Sequence, residues 1–161
     1  LASFLRALQS GNAPYDLFEK GDANAVTAEV KHGGEVFKEV GCSLCHAPPL
    51  YSDTQFHDVG IGWDEKAKAF KDHGRMDASK KPEDDGKFKT PSLRDVEKTA
   101  PYFHDGSAAT LEEAVDHMLA GGIANPGLDA KLHPHKLSAA DRAALIAFLK
   151  SLTGKATLDG I

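Results

Sequence analysis

The sequence predicts an all-α fold with long irregular connections. Three observations predict it. Apolar residues recur at helical spacing in four stretches, strand-like alternation is nearly absent, and glycines and prolines punctuate residues 47–92. With 161 residues the chain can bury a core of its own as one domain.

The first helix is expected over residues 1–9, LASFLRALQ, where Leu1, Phe4, Leu5 and Leu8 fall at i, i+3, i+4 and i+7. The run SGNAPYD breaks it. A second helix is expected from Thr27 to about Val40, with Val30, Phe37 and Val40 on one side. Its Gly33-Gly34 pair lets another element come close. A third opens at the capping box Thr110-Leu-Glu-Glu113 and carries Leu111, Ala114, Val115, Met118 and Leu119 before Gly121-Gly122 stop it. The last runs from Ser138, its cap, to Leu152, with Leu145, Phe148 and Leu149 in its stripe and Gly154 beyond it. Between the second and third helices lies a loop too long for a compact domain unless it wraps a large ligand.

Composition narrows the function. Net charge is −5 with both signs interspersed, so no basic patch points to nucleic acid. No apolar run approaches the roughly 18 residues that span a bilayer. Aromatic residues make up only 7%, a deficit that a bound aromatic cofactor would fill. Beginning at Leu1 rather than Met, the chain is expected to be a processed product or a fragment.

Residues 41–49, GCSLCHAPP, hold the chain's two cysteines and a histidine directly after them. Structural zinc would want a second CxxC or a histidine pair, and His133-Pro-His135 is irregularly spaced for that. A redox dithiol expects a βαβ setting that is missing here. A bare disulfide is the plainest alternative. The reading adopted is one covalent c-type haem, with Cys42 and Cys45 as thioether anchors and His46 as the proximal iron ligand. This makes the domain a cytochrome c-like one whose loops wrap the haem. Such attachment occurs outside the cytoplasm, so a periplasmic location is expected.

Iron held by one histidine has a second face. Met118, on the apolar side of its helix, is the expected sixth ligand; its alternative role is ordinary packing. Met76 sits in the polar stretch DHGRMDAS, and His57, His73, His104 and His117 are histidine alternatives. His117 points about 100° away from Met118 on a helix. A thioether raises the potential relative to a second imidazole, which suits an electron acceptor.

Three stretches together resemble one family. GKFKTPSLRDVEKTAPYFHDGSAATLEEAVDHMLAGG is similar to the C-terminal haem domain of bacterial dihaem cytochrome c peroxidases and their MauG-like relatives. LSAADRAALIAFLKSLTG resembles that domain's last helix, and LASFLRALQSGNAPYDLFEKGD the helix and linker leaving the N-terminal haem domain. The resemblance divides the chain into 1–26, an inter-domain helix and linker, and 27–161, the haem domain. It implies that Cys42, Cys45 and His46 carry the high-potential, electron-accepting haem and that Met118 is its axial ligand. MauG-like members resemble one another in placing a tyrosine there. It implies further that the carbonyls of Thr99 and Pro101 help bind a calcium between two haem domains, where more oxygens are needed. Arg94 is expected near the haem as a propionate partner, and Trp63 as an electron relay or as packing over the haem edge.

The family carries two CxxCH motifs and this chain one, so the peroxide-cleaving haem is expected on an N-terminal haem domain or second chain. The implied function is the electron-transfer domain of a periplasmic dihaem cytochrome c peroxidase. Its donor would be a small cytochrome c or cupredoxin, and a homodimer stays open. The alternatives are a stand-alone monohaem electron carrier and a MauG-like enzyme that oxidises a protein.

Overall fold

The computed structural model describes residues 8–158 of the chain. In order, its elements are β1 (Leu8–Gly11), α1 (Pro14–Glu19), α2 (Ala28–Glu39), β2 (Phe56–His57), β3 (Trp63–Asp64) and β4 (Ala69–Phe70). There follow α3 (Arg75–Ser79), β5 (Phe88–Lys89), α4 (Leu111–Leu119), α5 (Ala139–Ser151) and β6 (Lys155–Leu158).

α2 and α5 form the centre, packed along one another. Gly33 makes the approach possible: a Cβ there would collide with the Ala144 carbonyl and stand 2.9 Å from Phe148 Cβ. Phe148, 2% exposed, is the hub. Phe37 of α2 meets it at 4.9 Å and Tyr15 of α1 edge-on at 4.7 Å. Leu145, Leu149 and Leu152 are buried beside it. The helix ends follow side-chain chemistry. The Thr27 side chain accepts from the Val30 amide, and Ser138 from the Asp141 amide. At α4 the capping box is complete: Thr110 Oγ1 accepts from the Glu113 amide at 3.2 Å and Glu113 Oε2 from the Thr110 amide at 3.1 Å.

The expectation of an all-α fold is overturned. Three two-stranded antiparallel sheets stand beside the helices: β1 with β6, β2 with β5, and β3 with β4. Two of them pair only two residues on each strand. That is too short for alternation to register in a sequence. β3 and β4 are joined by a turn in which Asp64 Oδ1 accepts from the amides of Lys66 and Ala67. The helix expected over residues 1–9 falls mostly outside the described residues. At its end Leu8–Gly11 is strand, in register with Lys155–Leu158. The short helices α1 and α3 were not expected; each spans less than two turns, below the length at which a stripe of apolar residues repeats.

Candidate haem site

A cavity of about 670 Å³ opens between the α2–α5 pair and the loops, within the roughly 300–1,000 Å³ typical of cofactor pockets. Phe37, Val40, Leu93, Val96, Leu145 and Leu149 give it an apolar wall. Cys42, Cys45, His46 and Met118 all line it.

The motif is set by the end of α2. Gly41, at φ +75°, turns the chain in the left-handed region and starts a tight turn over Cys42–Leu44. The amides of Cys45 and His46 both reach the Cys42 carbonyl, at 3.3 and 2.9 Å. The two thiols are not bonded to each other. Burial pushes the Cys42 thiol up to about 11, and burial also raises Cys45. A redox dithiol would need a depressed value, so neither sulfur is arranged as a nucleophile.

His46 is arranged as a metal ligand. Its Nδ1 lies 2.8 Å from the Tyr51 carbonyl, which can only accept, so the proton is on Nδ1 and the lone pair on Nε2. Burial lowers its pKa and keeps the ring neutral. Met118, on α4, supplies a soft sulfur on the same cavity. Met76, in α3, does not line it. The residues present therefore fit a c-type haem: two thiols, one imidazole with a free nitrogen, one thioether and an apolar chamber.

The other candidates fall in different places. His104 lines the cavity, its ring stacked on Phe88 at 3.5 Å. His57 lines it too, but both its nitrogens face carboxylates: Nε2 lies 2.9 Å from Asp53 and Nδ1 2.5 Å from Asp129. Cys45, Asp53 and His57 come together as a group that resembles a metal site. Both nitrogens of His57 face carboxylate oxygens, and Asp53 of this same group is one of the two partners. His73 pairs with Asp85, and His117 Nε2 lies 3.0 Å from the Val59 carbonyl. Trp63 packs on Phe70 and donates to Glu65, away from the cavity lining.

Arg94 is not where a propionate partner was expected. Its guanidinium holds Asp16 of α1 with two bonds of 2.9 Å and donates to the Pro49 carbonyl at 2.8 Å. It is absent from the cavity lining. Asp16 is buried, which alone would raise its pKa; the bonds from Arg94 and the Ala13 amide outweigh that and hold it below the usual range. Thr99 and Pro101 border the cavity. Sequence reasoning missed the Tyr51 carbonyl and the pairing of His57 with Asp129. The latter lie 72 positions apart, and no local pattern signals that contact.

Comparison with known proteins gives a consistent family. The model of the family described as "Di-haem oxidoreductase, putative peroxidase" matches residues 49–152. The methylamine utilization protein MauG of Methylorubrum extorquens is 39% identical, over 94% of this chain and 42% of its own length. The cytochrome-c peroxidase IdrP2 of Denitromonas iodatirespirans is 37% identical, over 96% of this chain and 48% of its own. The cytochrome c551 peroxidase of Nitrosomonas europaea is 36% identical, over 96% and 43%. The chain thus spans less than half the length of these relatives. Among solved structures, a MauG-like protein associated with microbial copper homeostasis superposes with a TM-score of 0.80 at 30% identity, covering 89% of this chain and 52% of that one. No helix among the described residues is long and apolar enough to cross a membrane.

Proposed function

Because the chain belongs to the di-haem oxidoreductase family, we propose that it is the electron-transferring c-type haem unit of a periplasmic dihaem cytochrome c peroxidase. Cys42 and Cys45 anchor the haem, His46 Nε2 and the Met118 sulfur take its iron, and peroxide is reduced on a second haem carried by residues outside this chain. A small cytochrome c or cupredoxin is the donor. Calcium at the Thr99 and Pro101 carbonyls is part of the same reading and needs oxygens from the other haem domain.

The observation that carries this is His46, whose Nδ1 contact with the Tyr51 carbonyl frees Nε2 towards a cavity that Met118 also lines. When bound, the haem supplies a one-electron store whose potential a thioether ligand raises. The chain's residues do the rest. Tyr51 fixes the imidazole's tautomer, burial keeps it neutral, and the α2–α5 wall gives the cavity an apolar side. MauG-like protein oxidation is the second reading, favoured by the 39% identity to MauG; a methionine where MauG-like members resemble a tyrosine counts against it.

Two measurements test the proposal. The protein purified from its native source should carry two haems, one of them held outside these 161 residues, and turn over peroxide with a reduced small redox protein. A Met118→His variant should keep its haem and show a lower potential. An unchanged potential and optical spectrum would remove Met118 from the iron. One haem and no peroxide turnover would make the protein an electron carrier instead.

A further inference from the structure

Two segments from distant parts of the chain bring the anchoring cysteines and the methionine to one cavity, and one histidine ring bridges their carboxylates. On the cysteine side, the Asp53 amide donates to the Cys45 carbonyl at 2.7 Å. The Asp53 carboxylate meets His57 Nε2 at 2.9 Å. On the methionine side, α4 runs into residues 120–135, which return to the helix where the His135 amide donates to the Leu119 carbonyl at 2.8 Å. That loop hangs on residues 57–59. Ile123 N donates to the Val59 carbonyl, Asp129 N to the Asp58 carbonyl, and the Asn125 amide to Asp58 Oδ1. His57 Nδ1 meets the Asp129 carboxylate at 2.5 Å.

We infer that His57 is the positioning residue that fixes the methionine half of the haem pocket to the cysteine half, and so holds the Met118 sulfur at the iron. The inference rests on the reading of Met118 as ligand. Its chemistry is specific to histidine. Both neighbours are carboxylates, so each ring nitrogen has an accepting oxygen opposite it, one on each side of a flat rigid ring. Each bond is charge-assisted and stronger than a neutral one. A glutamine carries its donors on one nitrogen and cannot span two carboxylates in this way. The ring is largely buried, its side chain 13% exposed, so water does not readily replace either bond. The neighbouring ionisable groups are Cys45 and Asp53 on one side and Asp129 with Lys131 on the other. His46 is not bonded to it.

The test uses the full-length, haem-loaded protein and the variants His57→Gln, Asp129→Ala and Asp129→Asn. Three things are read: the thioether-to-iron charge-transfer band, the reduction potential, and amide hydrogen exchange at Ile123 and Asp129. His57→Gln and Asp129→Ala should keep the covalent haem but lose or weaken the band and lower the potential. Exchange at the two amides should accelerate about tenfold, the size expected when a charge-assisted bond is lost. Asp129→Asn keeps an oxygen that accepts from Nδ1 and should restore most of the band. If His57→Gln does not fold, the Asp129 pair decides. Wild-type band, potential and exchange in His57→Gln or in Asp129→Ala would overturn the inference. If the wild-type protein itself lacks the band, the ligand reading fails, and unchanged exchange in the variants would then overturn the inference separately.

Discussion

The wall of the cavity made by α2 and α5 and the wall made by residues 53–60 and 120–135 keep their shapes by different means. The helix wall is apolar packing: Phe37, Leu145, Phe148 and Leu149 interlock, each 5% exposed or less, and capped helix ends hold them in place. The loop wall has no regular element longer than two residues in 53–60 and none in 120–135. It is held by directed polar contacts through Asp53, His57, Asp58, Asn125 and Asp129. Packing is non-directional and sums over area, so the helix wall governs whether the chain folds. Hydrogen bonds are directional and individually modest, so the loop wall governs where particular atoms sit.

The largest effect should come from the helix wall. Phe148→Ala removes the ring that Phe37, Tyr15 and Tyr51 surround. It should cost about 3–5 kcal/mol of stability in denaturant unfolding. In the fraction that remains folded, the haem ligation should be unchanged. If Phe148→Ala shifted the reduction potential as strongly as His57→Gln, the division of labour between the walls would be wrong.

The same division explains what the sequence discloses. α2, α4 and α5 are legible because a stripe, a cap and a stop residue repeat one signal over nine to thirteen residues: Thr27, Thr110 and Ser138 all cap where expected. Cys42, Cys45 and His46 stand out by their adjacency and Met118 by its place on a readable helix, and the structure brings all four to one cavity. The loop wall is opaque. Its strands pair two residues each, and its central contact joins His57 to Asp129 across 72 positions. Arg94 shows the limit most clearly. An arginine beside a haem motif suggests a propionate, yet a carboxylate 78 positions away, Asp16, takes it.

A second, smaller effect tests that placement. Arg94 lies between α1 and the segment after the haem motif, its side chain 14% exposed and that of Asp16 11%. Arg94→Gln leaves a mostly buried carboxylate without its bidentate partner and should cost about 1–3 kcal/mol. The haem potential should stay that of the wild type, because no Arg94 atom borders the cavity. A marked change in potential with little loss of stability would return Arg94 to the haem.

The smallest effect is read by lowering the pH and isolates one residue of the loop wall. Burial alone would raise the Asp53 carboxyl; the Gln55 amide and the His57 ring outweigh it and hold its pKa at about 2. In the unfolded chain an aspartate titrates near 3.9. A carboxyl whose folded value is depressed binds fewer protons folded than unfolded between the two values. Its contribution is therefore fully present above about pH 4 and is lost as pH falls through about 2. Asp53→Asn has no such charge to lose. The wild type should be the more stable of the two above pH 4, and the urea midpoints should converge as pH is lowered towards 2. Midpoints that stay parallel across that window would mean that the Asp53–His57 contact carries no charge-assisted strength. The loop wall would then rest on the His57–Asp129 and Asp58 contacts and on its backbone bonds to residues 57–59.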